Sequence, residues 1–220
     1  MLAEAVVTTI EKTGVIAILR GISPEPLMET VAALHDGGIR VLEVTFNTVG
    51  ACDMIRQIAR QYSGKLHVGA GTVLSPQAAL QAIDAGAEFV VAPNTDPEVI
   101  AIVKEHGRVM IPGAFTPTEI LRCDNSGADM IKVFPVSSVG PKYIKDLKGP
   151  CNSLRLVPVG GVDLSNAGAF IKAGADAVGV GGSLVRPDLI LAKDFRGLAM
   201  LAADFLRSVG EAKNSLSIDK

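Results

Sequence analysis

The chain has 220 residues, 48% of them hydrophobic, which is enough to bury a large core and fits a single α/β barrel domain over residues 1–220. Its 21 basic and 23 acidic residues nearly balance and only 4% of its residues are aromatic, which argues against a nucleic-acid partner. Its three cysteines lack C-x-x-C spacing, and its acidic N-terminus precedes no apolar run of about 18 residues, so we expect a cytoplasmic protein without disulfides, signal peptide or membrane contact.

Short runs rich in β-branched residues recur along the chain and predict strands. In chain order they are VIAIL at 15, VLEVTF at 41, HVGAGTV at 67, FVVAP at 89, VMIPGA at 109, MIKVFP at 130, LRLVPVGG at 154 and AVGVGG at 177. Stretches with helical spacing lie between them, and several begin with a capping signal, such as SPEP at 23, SPQ at 75, DPE at 96 and TPTE at 116. The stretch from Asp188 to Lys213 is predicted as the last helix.

Strands that read as continuous apolar runs and alternate with helices predict a parallel sheet covered on both faces. Eight such units favour a closed (β/α)8 TIM barrel over an open doubly wound sheet. The first strand is also not followed by the G-x-G-x-x-G pattern of dinucleotide-binding open sheets. We therefore predict a barrel whose active site lies at the C-terminal ends of its strands.

Two charged residues interrupt apolar strands, Glu43 in VLEVTF and Lys132 in MIKVFP. Burying a lone carboxylate or ammonium costs several kcal/mol unless the group is paired or neutralised. One explanation is Schiff-base chemistry, because a lysine attacks a ketone as the free amine and burial lowers its pKa. Glu43 would then carry protons to and from the carbinolamine and the substrate hydroxyl. The other explanation is a buried ion pair that only completes the barrel core.

Further candidates follow the strands. Arg20 ends the first strand, where a guanidinium either clamps a carboxylate or phosphate or is simply a solvated charge. Thr72 follows the third strand, where a hydroxyl is either a ligand or a loop cap. Two glycine pairs follow the seventh and eighth strands, which is where barrels bind phosphate. We predict that the phosphate ligands are Gly160, Gly161, Gly181, Gly182 and Ser183.

No metal or other cofactor is predicted. His35, His67 and His106 form no H-x-x-x-H or similar pair and lie away from the expected site. Two functions other than Schiff-base cleavage stay open from the residues alone. One is a phosphosugar isomerase or epimerase, which needs an acid/base pair but no imine, and the other is a barrel that binds a phosphorylated ligand without catalysis.

The motifs VIAILRG, GIRVLEVTFNT, VGAGTV, IPGAFTPTE, IKVFP and PVGGV…GVGGSLV occur in this order over nearly the whole chain. Together they resemble the bacterial 2-keto-3-deoxy-6-phosphogluconate (KDPG) aldolase and 4-hydroxy-2-oxoglutarate (KHG) aldolase family. The resemblance implies a class I pyruvate aldolase on a (β/α)8 barrel, usually a homotrimer. Such an enzyme takes a phosphorylated 2-keto-3-deoxy sugar acid and cleaves KDPG into pyruvate and glyceraldehyde 3-phosphate.

The same resemblance assigns roles to individual residues. Lys132 matches the Schiff-base lysine and Glu43 the proton carrier of the family. Phe134 matches the aromatic residue that packs beside the Schiff base, and Arg20, Thr72 and Ser183 match substrate-binding positions.

One position departs from the gluconate branch of the family. Asn47 stands where many gluconate enzymes have an arginine that helps to hold the pyruvate carboxylate, and an amide brings no charge to that task. Asn47, Val159 and the run SSVGPKYIKDLKGP are similar to aldolases for 2-keto-3-deoxy-6-phosphogalactonate (KDPGal). The resemblance therefore leaves open whether KDPG, KDPGal or KHG is the preferred substrate.

Overall fold

The computed structural model describes residues 2–218, so the first residue and the last two residues of the predicted domain lie outside it. This part of the chain contains nine strands and ten helices, which alternate except where β6 directly follows β5 and α10 directly follows α9. The strands are β1 (Val15–Leu19), β2 (Val41–Thr45), β3 (His67–Gly71), β4 (Phe89–Val91), β5 (Val109–Ile111), β6 (Gly113–Ala114), β7 (Ile131–Val133), β8 (Leu156–Pro158) and β9 (Val178–Val180).

The strands form two parallel ladders, one with the order β5-β4-β3-β2-β1-β9 and one with the order β6-β7-β8. Pro112 separates β5 from β6 within the fifth predicted run, because proline has no N–H with which to continue a ladder. An isolated bridge between Val159 and Gly179 connects the end of β8 to β9. The predicted parallel α/β arrangement is confirmed as a curled sheet, but the described ladder is not continuous around eight strands.

The helices surround this sheet, and several begin where the capping signals predict. Ser75, Asp96 and Thr116 each accept an N–H in the first turn of a helix, whereas the SPEP run makes no side-chain cap. The helices are α1 (Leu2–Thr13), α2 (Leu27–Asp36), α3 (Ala51–Gln61), α4 (Pro76–Asp84), α5 (Pro97–Glu105), α6 (Pro117–Asn125), α7 (Gly140–Lys148), α8 (Ala167–Lys172), α9 (Pro187–Leu191) and α10 (Phe195–Ile218).

The prediction of one last helix from Asp188 to Lys213 was wrong, because α9 and α10 are separate. Lys193 between them has a left-handed φ of 54°, which an α-helix cannot contain. The Asp194 Oδ1 accepts the Gly197 N–H at 2.8 Å, so this aspartate caps the start of α10.

The core has two layers because successive strand residues point to opposite faces of the sheet. In β1, Val15, Ala17 and Leu19 pack toward the surrounding helices, whereas Ile16 and Ile18 belong to a separate inner cluster. That inner cluster also contains Val6, Val7 and Ile10 of α1, a helix that the sequence analysis did not predict.

Helix α1 therefore covers the N-terminal end of the sheet, which leaves the C-terminal ends of the strands for a site. Thr9 of α1 lies 3.2 Å from the His67 ring at the start of β3, which fixes the helix at that end. No helix within residues 2–218 is long and apolar enough to cross a bilayer.

Candidate active site

Lys132 lies in the middle of β7, paired with Gly113 of β6 and Val157 of β8, and only 2% of it is exposed. Its Nζ lies 4.9 Å from the centre of the Phe134 ring, so an apolar face covers the amine. Burial lowers the pKa of Lys132. The negative charge of Glu43 opposes this shift in pKa, and the positive charge of Arg20 reinforces it. The free amine is therefore present at lower pH than in an exposed lysine.

Glu43 lies in the middle of β2, between β1 and β3, and is also 2% exposed. Burial raises the pKa of its carboxyl group, and the positive charges of Lys132 and Arg20 oppose this shift. A Cβ atom at Gly71 would lie 1.7 Å from the Glu43 Oε1, so the glycine at the end of β3 provides the space that the carboxyl group occupies. The raised pKa keeps Glu43 able to donate a proton at higher pH than an exposed carboxyl.

These two buried groups are not paired with each other. The Glu43 Oε1 has no hydrogen-bond partner, and the ion pairs of the described residues include none between Glu43 and Lys132. A buried charge without direct partners destabilises the fold, since nothing offsets its desolvation. The alternative in which the two side chains form a structural ion pair therefore lacks the contact that it requires.

A cavity of about 210 Å³ opens at the C-terminal ends of β1, β8 and β9. Arg20, Phe134, Val159, both glycine pairs and Ser183 line this cavity. Residues that are far apart in the sequence thus meet at one end of the sheet, as expected for parallel strands. Phe134 connects the two parts of the site, because its ring lines the cavity and also contacts Lys132.

The first glycine pair has a conformation that other residues rarely adopt. Gly160 and Gly161 have φ values of +85° and +87°, and Asn166 Nδ2 donates to the Gly161 carbonyl at 2.9 Å. In the described part of the chain, the N–H groups of Gly161, Gly182 and Ser183 donate to no protein acceptor. Backbone N–H groups without acceptors at one cavity are suited to binding an anion.

Asn47 and Thr72 do not line this cavity. Asn47 is exposed in the turn after β2, and Thr72 directly follows β3. Thr72 has a φ of 57°, which is uncommon for a β-branched residue and is found mostly where the surrounding structure enforces it. Both residues follow a strand of the β2–β3 pair that holds Glu43, so the site has two sides.

The sequence analysis missed two buried hydroxyl groups, those of Thr45 and Thr48, which are 0% and 5% exposed. Thr45 Oγ1 donates to the Leu19 carbonyl at 3.4 Å and lies 3.1 Å from Thr48 Oγ1, which accepts the Gly21 N–H at 2.9 Å. The available signal was two threonines three residues apart directly after the Glu43 position, in TFNT.

Metal-ligating side chains do not cluster at this end of the sheet. Within residues 2–218, no three His, Cys, Asp or Glu side chains come together as a metal site would need. His67 lies at the opposite end of β3, where its Nδ1 is 2.7 Å from Glu88 Oε2.

The comparison with known protein families matches this arrangement. A family model described as "Aldolase: KDPG and KHG aldolase" matches residues 6–201. The chain belongs to the KDPG and KHG aldolase family. The family prediction, and with it the prediction of an aldehyde-lyase, is confirmed.

Individual relatives of this aldolase include both substrate types. The 2-dehydro-3-deoxy-phosphogluconate aldolase of Treponema pallidum (strain Nichols) is 37% identical over 203 residues, covering 91% of this chain and 96% of the relative. The 2-dehydro-3-deoxy-6-phosphogalactonate aldolase of Escherichia coli (strain K12) is 35% identical over 202 residues, covering 91% of this chain and 97% of the relative. The solved "Native KDPGal structure" has a TM-score of 0.85 and 34% identity, covering 91% of this chain and 96% of that one.

Proposed function

We propose that the chain is a class I pyruvate aldolase in which Lys132 forms an imine with the C2 carbonyl of a phosphorylated 2-keto-3-deoxy hexonate. The products are pyruvate and D-glyceraldehyde 3-phosphate. The observation that carries the proposal is the buried Lys132 amine, with a lowered pKa, in the same interior as the unpartnered carboxyl group of Glu43. A free amine and a proton carrier are the two groups that imine chemistry needs.

The reaction begins when the Lys132 nitrogen attacks C2 and Glu43 donates a proton to the carbonyl oxygen, which gives a carbinolamine. Loss of water leaves a protonated imine. Glu43, now a carboxylate, takes the proton of the C4 hydroxyl, the C3–C4 bond breaks, and its electron pair moves into the C2–C3 bond as an enamine. The aldehyde leaves and Glu43 gives its proton to C3, which restores the protonated imine. Water then hydrolyses this imine to pyruvate and free Lys132, and the proton released returns to the Glu43 carboxylate.

The two sides of the site bind the two ends of the substrate. Arg20, both glycine pairs and Ser183 hold the phosphate in the 210 Å³ cavity, where a cation and unused N–H groups stand together. Asn47 and Thr72 hold the pyruvate carboxylate on the β2–β3 side. Phe134 packs against the imine from the direction in which it now contacts Lys132.

KDPG is the first substrate candidate, and its C4 epimer KDPGal is the second. Val159 favours the second, because it is an apolar residue in the cavity wall and offers no hydroxyl to an oxygen of the substrate. Asn47 favours it as well, since it matches the galactonate relatives in motif. Measuring kcat/KM for KDPG, KDPGal and KHG tests this order of substrate preference. Equal values for the phosphorylated substrates and KHG would contradict phosphate binding in the cavity.

We also propose that residues 1–220 form one closed (β/α)8 barrel that assembles as a cytoplasmic homotrimer. In this barrel β5 and β6 are one strand interrupted at Pro112, and the Val159–Gly179 bridge joins β8 to β9. The resemblance to the family supports the trimer. Light scattering during gel filtration would measure the mass of the assembly, and a monomer at micromolar concentration would contradict it.

The deciding experiment is reduction with borohydride in the presence of pyruvate, followed by peptide mass spectrometry. We expect a reduced adduct on Lys132 that is absent when pyruvate is omitted. Lys104 is the internal control, because its ammonium is held by Asp129 at 2.6 Å and should not react. A folded protein with no adduct on Lys132 would overturn imine catalysis and favour the isomerase alternative.

A further inference from the structure

Arg20 lines the cavity but has no side-chain anchor of its own. It directly follows β1 and is exposed. The hydrogen bonds of the described residues hold several other arginines, such as Arg40, Arg155 and Arg186, but none involves the guanidinium of Arg20. The position of this guanidinium therefore depends on the backbone that carries it, which means on the residues immediately before and after Arg20.

Those two neighbours are held by one chain of hydrogen bonds. The Gly21 N–H donates to Thr48 Oγ1 at 2.9 Å, Thr48 lies 3.1 Å from Thr45 Oγ1, and Thr45 donates to the Leu19 carbonyl at 3.4 Å. An N–H can only donate and a carbonyl can only accept, so each hydroxyl must accept once and donate once. The chain thus has a single direction, and its weakest bond is the long one to Leu19.

The burial of the Thr45 and Thr48 hydroxyls indicates that their hydrogen bonds matter. Thr45 and Thr48 are 0% and 5% exposed, and valine has nearly the same shape as threonine, so packing alone does not require a hydroxyl at either position. A buried hydroxyl is favourable only when it is hydrogen-bonded. Here the hydroxyls bond to the Leu19 carbonyl and the Gly21 N–H, which belong to the two peptide groups on either side of Arg20.

We propose that Thr48, acting together with Thr45, is a positioning residue that directs the Arg20 guanidinium toward the phosphate end of the substrate. The inference rests on the proposed function, since it assigns phosphate binding to the cavity that Arg20 lines. Without the Thr48 hydroxyl, the Gly21 N–H hydrogen-bonds to water instead, and the loop after β1 no longer holds Arg20 in one place. Binding of the phosphate then weakens, whereas Lys132 and Glu43 keep their places in β7 and β2.

The test uses Thr48→Val and Thr48→Ser with two substrates, the phosphorylated 2-keto-3-deoxy hexonate and the same hexonate without its phosphate. We expect Thr48→Val to raise KM for the phosphorylated substrate by about tenfold, with kcat changed by less than about twofold. KM for the unphosphorylated hexonate should change by less than about twofold, because that substrate has no phosphate to lose. Thr48→Ser keeps the hydroxyl and should restore the wild-type KM.

A double variant separates positioning from general support of the fold. Thr48→Val added to Arg20→Ala should raise KM by less than about a further twofold, because the effect of Thr48 passes through Arg20. If the Thr48→Val protein does not fold, Thr45→Val removes the next hydroxyl of the chain and should show the same pattern. Equal losses on both substrates, or full additivity with Arg20→Ala, would overturn the inference. Absence of a pyruvate adduct in the unmodified protein would instead overturn the proposed function.

Discussion

The N-terminal end of the parallel sheet and its interior differ in how their charged side chains are partnered. At the N-terminal end, Asp129 accepts from Lys104 at 2.6 Å and from the Met110 N–H at 2.8 Å. Asp176 in the same way accepts from Lys148 at 3.0 Å and from the Leu156 N–H at 2.8 Å. Each carboxylate thus joins a helix to the start of a strand, and it is partnered by both an ammonium group and a backbone N–H.

Away from that end, in the middle of β2 and β7, Glu43 and Lys132 are more deeply buried than those aspartates. Among the described residues they form no ion pair with each other, and the Glu43 Oε1 has no hydrogen-bond partner. The two regions are therefore expected to contribute to different properties of the protein, one to stability and the other to activity. Paired charges around the start of the strands stabilise the sheet, whereas buried charges without such partners in the strand interior reduce stability. In the proposed function, those interior groups are the ones that act on the substrate. Changes in these two regions should therefore separate activity from stability.

The largest effect on activity is expected from Lys132→Met. Loss of the nucleophile should lower kcat by about 10⁵-fold or more. Stability should not fall, because an apolar chain replaces a desolvated amine. Burial lowers the pKa of Lys132 from 10.5, so the cost of burying its ammonium is absent above pH 10.5 and develops as pH falls from there to the lowered value. The variant's gain in stability should grow over that range and then stay constant. Urea unfolding at several pH values, beside a cleavage assay, measures both.

Lys104→Met is the matched control for this lysine. It should keep kcat within about twofold and lower the free energy of unfolding, since it leaves Asp129 without its cation. If Lys132→Met were the less stable of the two, or retained turnover, the contrast between the two regions would be wrong.

Glu43→Gln should have the next largest effect on activity, with kcat lowered by about 10² to 10⁴-fold, because proton transfer is lost. Burial raises the pKa of Glu43 above 4.5, so the cost of burying its carboxylate is absent below that pH and develops as pH rises through the raised value. The variant should therefore be more stable than the wild type at pH 8 and nearly equal to it near pH 4.5. A stability difference that does not change with pH would contradict the raised pKa.

Asp129→Ala tests the other end of the sheet. We expect a loss of about 2–4 kcal/mol in the free energy of unfolding, because the change leaves the Met110 N–H and the Lys104 ammonium without their acceptor. Values of kcat and KM should stay within about twofold. Asp53→Ala is the control, since Asp53 forms an ion pair with Arg56 on the surface and should cost less than about 0.5 kcal/mol. Equal costs for the two variants would remove the special role of Asp129.

The smallest effect concerns Arg20 and the pH at which the imine forms. The positive charge of Arg20 contributes to the lowered pKa of Lys132, so Arg20→Ala should move the midpoint of borohydride trapping with pyruvate to higher pH. Arg20→Lys keeps the charge and should leave the midpoint in place. A midpoint that moves to lower pH in Arg20→Ala would contradict this electrostatic coupling.

The sequence by itself determined the features that depend on neighbouring residues. Enrichment in β-branched residues placed every predicted run on a strand, and the caps at Ser75, Asp96 and Thr116 follow from local hydrogen bonds. Glu43 and Lys132 were detectable because a charge inside an apolar strand conflicts with its surroundings. The ordered motifs gave the aldolase family, which its family model confirms.

Only the tertiary structure decided which of these residues meet, because register, strand twist and loop paths set distances that no local pattern contains. It separated Asn47 and Thr72 from the cavity that Arg20 and the glycine pairs line, and within residues 2–218 it left the Glu43 Oε1 without a hydrogen-bond partner.

The tertiary structure also placed α1 across the N-terminal end of the sheet. It brought Thr45 and Thr48 against the peptide groups that bracket Arg20, although β1 and β2 are separated in the sequence by a whole helix. In the sequence, a threonine at the end of a strand looks the same whether its hydroxyl has no hydrogen bond or is hydrogen-bonded to the neighbouring strand. Its role depends on what the neighbouring strand presents to it, and only the folded sheet determines that.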